Sequence, residues 1–191
     1  MPPTQASGPE RLVSHLRDAV RLGEVHAITR RLQDVLAEAV RSGQVALPIQ
    51  CTRPSPDHYT RRLLHRDPEL DFTAVVMTWG PGQGTPLHDH AGIWCVEAVV
   101  QGEMAVRQFE LTEEQPDGLC RFVERSAVTA AVGSSGALIP PFEYHTLANA
   151  HTDRVSITLH VYGGEMDHCS VYEPRADGLH ARQTRMLTYT E

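Results

Sequence analysis

The first forty residues carry apolar side chains at the spacing of amphipathic helices. One apolar stripe precedes Gly23 and a second precedes Gly43. The stripes consist of Leu12, Val13, Leu16 and Val20, then Ile28, Leu32, Val35, Leu36 and Val40. Ser7 stands three residues before Glu10, which is the spacing of a capping box, and Pro9 suits a first helical turn. The pattern therefore predicts two helices that each bury one face.

After RPSPD, at residues 53–57, the pattern changes to short runs rich in β-branched residues, separated by Gly, Pro and Asp. The runs are FTAVVMTW, IWCVEAVV, EMAVRQF, LCRFVER, AVTAAV, GALIP and RVSITLHVYG. They predict many short antiparallel strands, and hence a mainly β fold of the barrel or jelly-roll kind. We expect a tight hairpin turn at Gly102 and a longer polar connection at TEEQPDGL. Residues 1–44 are predicted to pack as a helical segment on a barrel of residues 45–191, in one domain, with 165–191 as a polar tail.

Composition limits the partners more than it limits the fold. The 191-residue chain is 41% hydrophobic and 21% charged, with a formal net charge of −7 and no block of Lys or Arg. A nucleic-acid partner is therefore disfavoured, and no apolar run approaches the roughly 20 residues of a membrane span. The N-terminus lacks a basic and apolar leader, and the four cysteines lack C-x-x-C spacing, so we expect a cytoplasmic protein with reduced thiols. A small-molecule partner and a monomeric state are favoured.

Three histidines are candidates for a metal site. His88 and His90 lie two residues apart, so on a strand they share a face while Asp89 points the other way. His145 begins a later predicted strand, which can pair across a small barrel. Imidazole nitrogens are common ligands of zinc, copper, iron and nickel. The three histidines therefore predict a metal centre, with a surface or loop histidine as the alternative reading of each.

The first two histidines also fit a family pattern. Gly82, His88, His90 and Gly102 have the spacing of the first cupin motif, and the chain is similar to that superfamily. Most cupins carry a metal-binding Glu where this chain has Cys95. The resemblance therefore implies a neutral three-histidine centre. Such a centre leaves Fe(II) with its full charge and with open positions for an anionic thiolate and O₂.

From DHYTRRLL to DHCSVYE the chain resembles type I cysteine dioxygenases. The residues that carry this resemblance are Tyr59, Thr60, Arg61, Trp79, Gly80, His88, Asp89, His90, Cys95, His145, Thr158, His160, Tyr162 and Cys169. The resemblance implies that His88, His90 and His145 bind Fe(II). It also implies a covalent thioether between Cys95 and Tyr162.

Two further groups of residues bear on catalysis and substrate choice. Thr158, His160 and Tyr162 alternate along one predicted strand, so a hydroxyl, an imidazole and a phenol can form a hydrogen-bonded row. In the family this relay has Ser in place of Thr158. Arg61 and Tyr59 share a face, and a guanidinium can hold a carboxylate with two parallel hydrogen bonds. Family members with Arg at this place are associated with cysteine, and members with Gln are associated with 3-mercaptopropionate.

The resemblance implies an Fe(II)-dependent dioxygenase that adds both atoms of O₂ to the sulfur of L-cysteine and yields cysteine sulfinic acid, without an organic cofactor. The alternative substrate is another mercaptocarboxylate, either mercaptosuccinate or 3-mercaptopropionate. A second carboxylate would need a second cation, supplied by Arg62, Arg66 or a later arginine. The non-enzymatic alternatives are a cupin that only binds a small ligand and a metal-free structural barrel.

Overall fold

The computed structural model describes residues 8–191, which form two helices, one short 3-10 turn and eleven strands. The helices are α1 Gly8–Val20 and α2 Val25–Arg41, and the 3-10 turn is Ile49–Thr52. The strands are β1 Thr60–Asp67, β2 Phe72–Trp79, β3 Leu87–His88, β4 Cys95–Gln101, β5 Glu103–Glu114, β6 Leu119–Ala131, β7 Ser135–Leu138, β8 His145–Asn149, β9 Ser156–Tyr162, β10 His168–Pro174 and β11 His180–Met186. The predicted mainly β fold with two leading helices is confirmed. The predicted N-cap, Ser7, lies outside the described residues.

The strands form two antiparallel sheets, and the site described below lies in the space between them. The first sheet has the order β1-β2-β9-β4-β7, and the second closes on itself in the order β10-β11-β6-β5-β8-β3. The two helices pack against each other through their apolar stripes, and α2 packs on β4 and β7, so both helices share one core with the outer face of the first sheet. Neither helix in the range 8–191 is long and apolar enough to cross a membrane.

Alternation along the first sheet separates a helix-facing core from the barrel interior. The helix-facing residues of β2, β4 and β9 are Phe72, Ala74, Val76, Val96, Ala98, Ile157, Leu159 and Val161. Successive strand residues point to opposite faces, so the residues between them face the barrel interior. On β4 and β9 these interior residues include Cys95, Glu97, Thr158, His160 and Tyr162. The sheet is therefore covered on both faces, which explains why every residue of β9 is buried.

The predicted hairpin at Gly102 is wrong. β4 pairs with β7 and β9, whereas β5 pairs with β6 and β8, so the chain passes at Gly102 from the first sheet to the second. Gly102 has a φ of 73°, and a Cβ there would lie 2.3 Å from Ser156 Oγ at the start of β9. A residue without a side chain is needed because two backbones approach closely at this crossing, rather than because the chain reverses.

The polar segment 165–191 forms a hairpin of the barrel instead of a tail lying on it. β10 and β11 pair along their whole lengths, β10 also pairs with β3, and β11 also pairs with β6. The strand pattern is hidden in the sequence because β11 is exposed along most of its length and carries mostly polar residues. This hairpin closes the second sheet and brings the end of the chain to the mouth of the barrel.

Candidate metal centre and substrate pocket

His88, His90 and His145 converge inside the barrel. β3 pairs with β8 so that His88 lies directly opposite His145, and His90 follows two residues later. The ring centroid of His88 lies 5.3 Å from that of His90 and 4.5 Å from that of His145, and the remaining pair is 4.9 Å apart. One ligand atom from each residue lies within 4.8 Å of the other two. The structure thus brings together the three histidines predicted as metal ligands.

The surroundings of these imidazoles favour the neutral form that binds metals. Burial lowers the pKa of all three rings. His88 donates a hydrogen bond from Nδ1 to the Pro86 carbonyl oxygen at 3.1 Å, which leaves its Nε2 free to be a ligand. Within the described chain, His90 Nδ1 and both ring nitrogens of His145 are buried without a hydrogen-bond partner. Unpartnered buried nitrogens cost free energy, and one bound transition-metal ion would take up one nitrogen of each ring. The three residues therefore fit such an ion.

Two buried carboxylates hold the segment that carries His88 and His90. Asp89 points away from the imidazoles, as the alternation predicts, and accepts hydrogen bonds from the Ser170 backbone N–H at 2.8 Å and the Tyr172 hydroxyl at 2.9 Å. Glu143 accepts a hydrogen bond from the backbone N–H of His90 at 2.7 Å. These bonds fix the ligand segment to β10 on one side and to the segment before β8 on the other.

A directed chain of hydrogen bonds runs along the interior face of β9. Trp79 donates from Nε1 to Thr158 Oγ1 at 2.9 Å, and Thr158 Oγ1 lies 2.7 Å from His160 Nε2. The Thr158 oxygen accepts from Trp79, so the arrangement that satisfies all three groups has the Thr158 hydroxyl donating to Nε2 of His160. The proton of the neutral ring then sits on Nδ1. The ring of Tyr162 lies nearly parallel to that of His160, with centroids 6.0 Å apart at 14°.

Cys95 and Tyr162 are brought side by side by the pairing of β4 with β9. They lie directly opposite each other in the ladder, and both are buried. Burial raises the pKa of the Cys95 thiol and of the Tyr162 phenol well above their ordinary values. Both groups are therefore protonated at neutral pH, and they have the proximity that the predicted thioether requires.

Glu97, whose side chain is 12% exposed, is a carboxylate of this site that the sequence motifs do not include. It lies on β4 directly opposite His160. Its Oε2 is 3.5 Å from Nδ1 of His160, and its Oε1 is 4.0 Å from Nδ1 of His145. Burial raises the pKa of Glu97 to about 8 while neither oxygen accepts a hydrogen bond, and hydrogen bonds donated by neighbouring N–H groups would lower it toward the ionised form. The available signal was its spacing of two residues from Cys95, which puts both side chains on one face of the strand.

A cavity of about 30 Å³ lies in front of the histidines. Its wall includes the side chains of Tyr59, Arg61, His160, Tyr162, Cys169 and Arg185. Arg61 is buried, and its guanidinium donates to the carbonyl oxygens of Met166 at 3.0 Å and Thr188 at 3.4 Å. Since a guanidinium has five N–H groups, the remaining donors can bind a ligand. Tyr59 is held by stacking on Trp79, with ring centroids 4.6 Å apart.

Arg185 places a second cation at this cavity. It lies opposite Cys169 in the β10–β11 hairpin, and Cys169 is a buried residue of the cavity wall. Residues directly opposite in an antiparallel pair project from the same face, so the Arg185 side chain lies on the cavity side. Arg62 and Arg66 make their hydrogen bonds to residues outside the cavity wall. The second cation left open by the sequence is thus supplied by a later arginine.

The chain is similar to curated proteins named cysteine dioxygenase type 1. Cysteine dioxygenase type 1 of Rattus norvegicus is 23% identical over 117 residues, which cover 61% of this chain and 56% of the rat protein. The Bos taurus protein of the same name is 24% identical over 120 residues, with coverages of 61% and 56%. The matched part therefore spans about half the length of these curated relatives.

Two solved structures and a family model give three further matches. A cupin 2 conserved barrel domain protein from Rhodopseudomonas palustris superposes with a TM-score of 0.46 at 18% identity, over 66% of this chain and 76% of that chain. A protein from Thermus thermophilus, TT1209, gives a TM-score of 0.45 at 18% identity, over 59% and 90%. Residues 4–175 match the family model described as cysteine dioxygenase type I. Because this match covers most of the chain, the protein belongs to the type I cysteine dioxygenase family.

Proposed function

We propose that the protein is an Fe(II)-dependent thiol dioxygenase that adds both atoms of O₂ to the sulfur of L-cysteine, so that the thiol becomes a sulfinic acid. The observation that carries the proposal is the convergence of three neutral histidines beside a buried arginine. The ligand atoms of His88, His90 and His145 lie within 4.8 Å of one another, and Arg61 lines the same cavity. Membership of the cysteine dioxygenase family supports the same reaction.

His88, His90 and His145 would hold the metal. Bound Fe(II) would supply a Lewis-acidic and redox-active site at which a thiolate and O₂ can meet. Three neutral rings do not offset the charge of the ion, which favours an anionic sulfur ligand. The burial that lowers the pKa of these rings also keeps protons from competing with the metal at neutral pH.

The substrate carboxylate would be bound by Arg61 and Tyr59. Because two backbone carbonyls already hold the Arg61 guanidinium, little side-chain freedom is lost when a carboxylate binds. The Tyr162 phenol stays protonated because burial raises its pKa, so it can donate a hydrogen bond to the substrate. His160 is held by Thr158 behind it. These residues would orient the thiol within the cavity.

The direct test is anaerobic reconstitution with Fe(II), followed by O₂ uptake and product mass for L-cysteine, 3-mercaptopropionate and mercaptosuccinate. We expect thiol-dependent O₂ uptake, with L-cysteine as the best substrate and both oxygen atoms of labelled O₂ in the product. Fe(II) binding without thiol-dependent O₂ uptake would favour a non-enzymatic, ligand-binding cupin. Equilibrium dialysis that finds no Fe(II) binding would favour a metal-free barrel.

A thioether between Cys95 and Tyr162 is the covalent modification that we predict for this site. A bond forms between Sγ and Cε, the ring carbon next to the one that carries the hydroxyl; the thiol and ring hydrogens are lost, and O₂ accepts the two electrons and two protons. Intact-protein mass after turnover should therefore fall by the mass of two hydrogen atoms in a fraction of the protein. Cys51→Ser, which alters another buried free cysteine, should show the same loss, and Cys95→Ser should not. The bond is contradicted if, after turnover, no fraction of the wild-type protein is lighter than the unmodified chain by two hydrogen atoms.

Mercaptosuccinate is the second candidate substrate, because Arg185 can meet a second carboxylate. We expect Arg185→Gln to lower kcat/KM for mercaptosuccinate by about tenfold, the loss of one partly exposed charge-assisted hydrogen bond of about 1.4 kcal/mol. kcat/KM for L-cysteine should change by less than about twofold, since its carboxylate is bound by Arg61. Arg182→Gln, on the same strand but bonded to Ser170, is the matched control. Equal losses with both thiols would contradict a separate role for Arg185.

We further infer a cytoplasmic location for this reaction. All four cysteines are free thiols, which is typical of proteins in a reducing compartment. The monomeric state stays a prediction, to be measured by sedimentation of the Fe(II)-loaded protein.

A further inference from the structure

We propose that Glu97 is a positioning residue of the metal centre, whose carboxylate accepts hydrogen bonds from Nδ1 of both His145 and His160. A carboxylate then acts on the metal through an imidazole instead of binding it. This inference rests on the proposed three-histidine metal site and deepens it.

The first support is that the two carboxylate oxygens face two different rings. Oε2 lies 3.5 Å from Nδ1 of His160, and Oε1 lies 4.0 Å from Nδ1 of His145. Among the described residues, Glu97 Oε2 and His145 Nδ1 are both buried without a hydrogen-bond partner. A movement of about 1 Å or less brings these pairs to hydrogen-bond distance. The carboxylate is therefore the nearest means of satisfying buried polar atoms that would otherwise cost free energy.

The second support is the direction of the hydrogen-bond chain on β9. Donation from Trp79 to Thr158, and from Thr158 to His160 Nε2, leaves the His160 proton on Nδ1. That N–H faces Cys95 Sγ at 4.0 Å and the Glu97 carboxylate at 3.5 Å. Sulfur is a weaker hydrogen-bond acceptor than a carboxylate oxygen, so Glu97 is the expected last acceptor of this series of hydrogen bonds.

The third support is what such a carboxylate does to a metal-binding histidine. A ligand histidine commonly donates its second N–H to a carboxylate, which fixes the ring orientation and raises the basicity of the coordinating nitrogen. With His145 bound through Nε2, its Nδ1–H would point to Glu97 Oε1. The cupin pattern places a carboxylate ligand at the position of Cys95. Here the carboxylate stands two residues further along the same strand face, one imidazole away from the metal.

A replacement at this position can be accommodated, because Glu97 also borders a second cavity of about 370 Å³. Thr158 and Leu147 contribute to the wall of that cavity as well. Glu97→Gln keeps the shape and removes the charge. Glu97→Leu removes both acceptor oxygens, and Glu124→Gln, an exposed strand glutamate, serves as the matched control.

The experiment measures metal binding in the absence of thiol and O₂. Fe(II) affinity is obtained by anaerobic chelator competition at one pH, and Zn(II)-loaded protein labelled with ¹⁵N in histidine reports the protonated nitrogen of His145 and its exchange with water. We expect Glu97→Gln to weaken Fe(II) binding by about 10- to 100-fold, as for other outer partners of metal ligands, and to speed exchange at His145 Nδ1. Glu97→Leu should weaken binding at least as much, and Glu124→Gln should match the wild type.

Three results would overturn the positioning role. Affinity and exchange within about twofold of the wild type in both Glu97 variants would show that the carboxylate does not act on His145. Two metal ions per chain would make Glu97 a direct ligand, together with Cys95 and His160, whose ligand atoms also lie within 4.8 Å of one another. A wild-type protein that binds no metal would remove the centre itself. Failure of O₂ uptake in a protein that binds Fe(II) would instead contradict only the proposed dioxygenase, so the two failures are distinguishable.

Discussion

A His88→Ala variant will lose Fe(II) affinity by more than about 100-fold and will show no thiol-dependent O₂ uptake. Loss of even an outer partner of a metal ligand costs about 10- to 100-fold in affinity, and His88 is one of only three nitrogen donors that meet in the described barrel. His88 is also the least buried of the three, so its replacement should disturb packing least. Chelator competition gives the affinity, and an oxygen electrode gives the uptake.

The matched control for this variant is His15→Ala, which removes an exposed histidine of α1. It should bind Fe(II) as the wild type does. Circular dichroism of the metal-free proteins should show that His88→Ala remains folded. Wild-type Fe(II) affinity in folded His88→Ala would reject the three-histidine site.

Arg61→Gln should lower kcat/KM for L-cysteine by roughly 100- to 1,000-fold. Truncating one partner of a buried, hydrogen-bonded charge pair costs about 2–5 kcal/mol, and the Arg61 guanidinium is the buried cation of the substrate cavity. Steady-state O₂ uptake at several L-cysteine concentrations measures the change. The decrease in kcat/KM should be large only for thiols that carry a carboxylate.

Arg61 also binds the carbonyl oxygens of Met166 and Thr188, so a structural effect has to be separated from substrate binding. Cysteamine, which lacks the carboxylate, provides the comparison, because its slower turnover should change by less than about threefold. Arg62→Gln, at the next position of β1, should leave the rate of O₂ uptake with both thiols unchanged. An equal loss with L-cysteine and cysteamine would assign Arg61 to the structure of the pocket alone.

Local pattern predicted those parts of this protein that depend on strand alternation. The spacing of His88 and His90 places both imidazoles on one face, and the alternation of Thr158, His160 and Tyr162 places all three in the barrel. Both placements agree with the structure. The helix stripes likewise lie against the first sheet. In each case the spacing of apolar and polar residues within a single helix or strand is enough to predict which face of that element is buried.

The features that the sequence did not reveal depend on which strands become neighbours. Gly102 resembles a hairpin turn, but the pairing of β4 with β9 makes it a crossing between sheets. Glu97 resembles an ordinary strand acid until His160 is placed opposite it. Arg185 joins the pocket only because the polar segment 165–191 folds into the barrel. Which strands pair with each other depends on tertiary packing, and a short stretch of sequence does not predict it.

Because both faces of β9 and its neighbouring strands are buried, substitutions and length changes in these strands should be tolerated differently in evolution. Side chains on these strands alternate between the helix-facing core and the barrel interior, so exchanging one apolar residue for another on the helix side leaves the chemistry in place. Inserting or deleting one residue within β4 or β9 would instead turn valines toward the candidate metal site and polar groups toward the helices. Sequence drift in these strands is therefore expected to proceed by substitution, with length changes confined to the connections between strands.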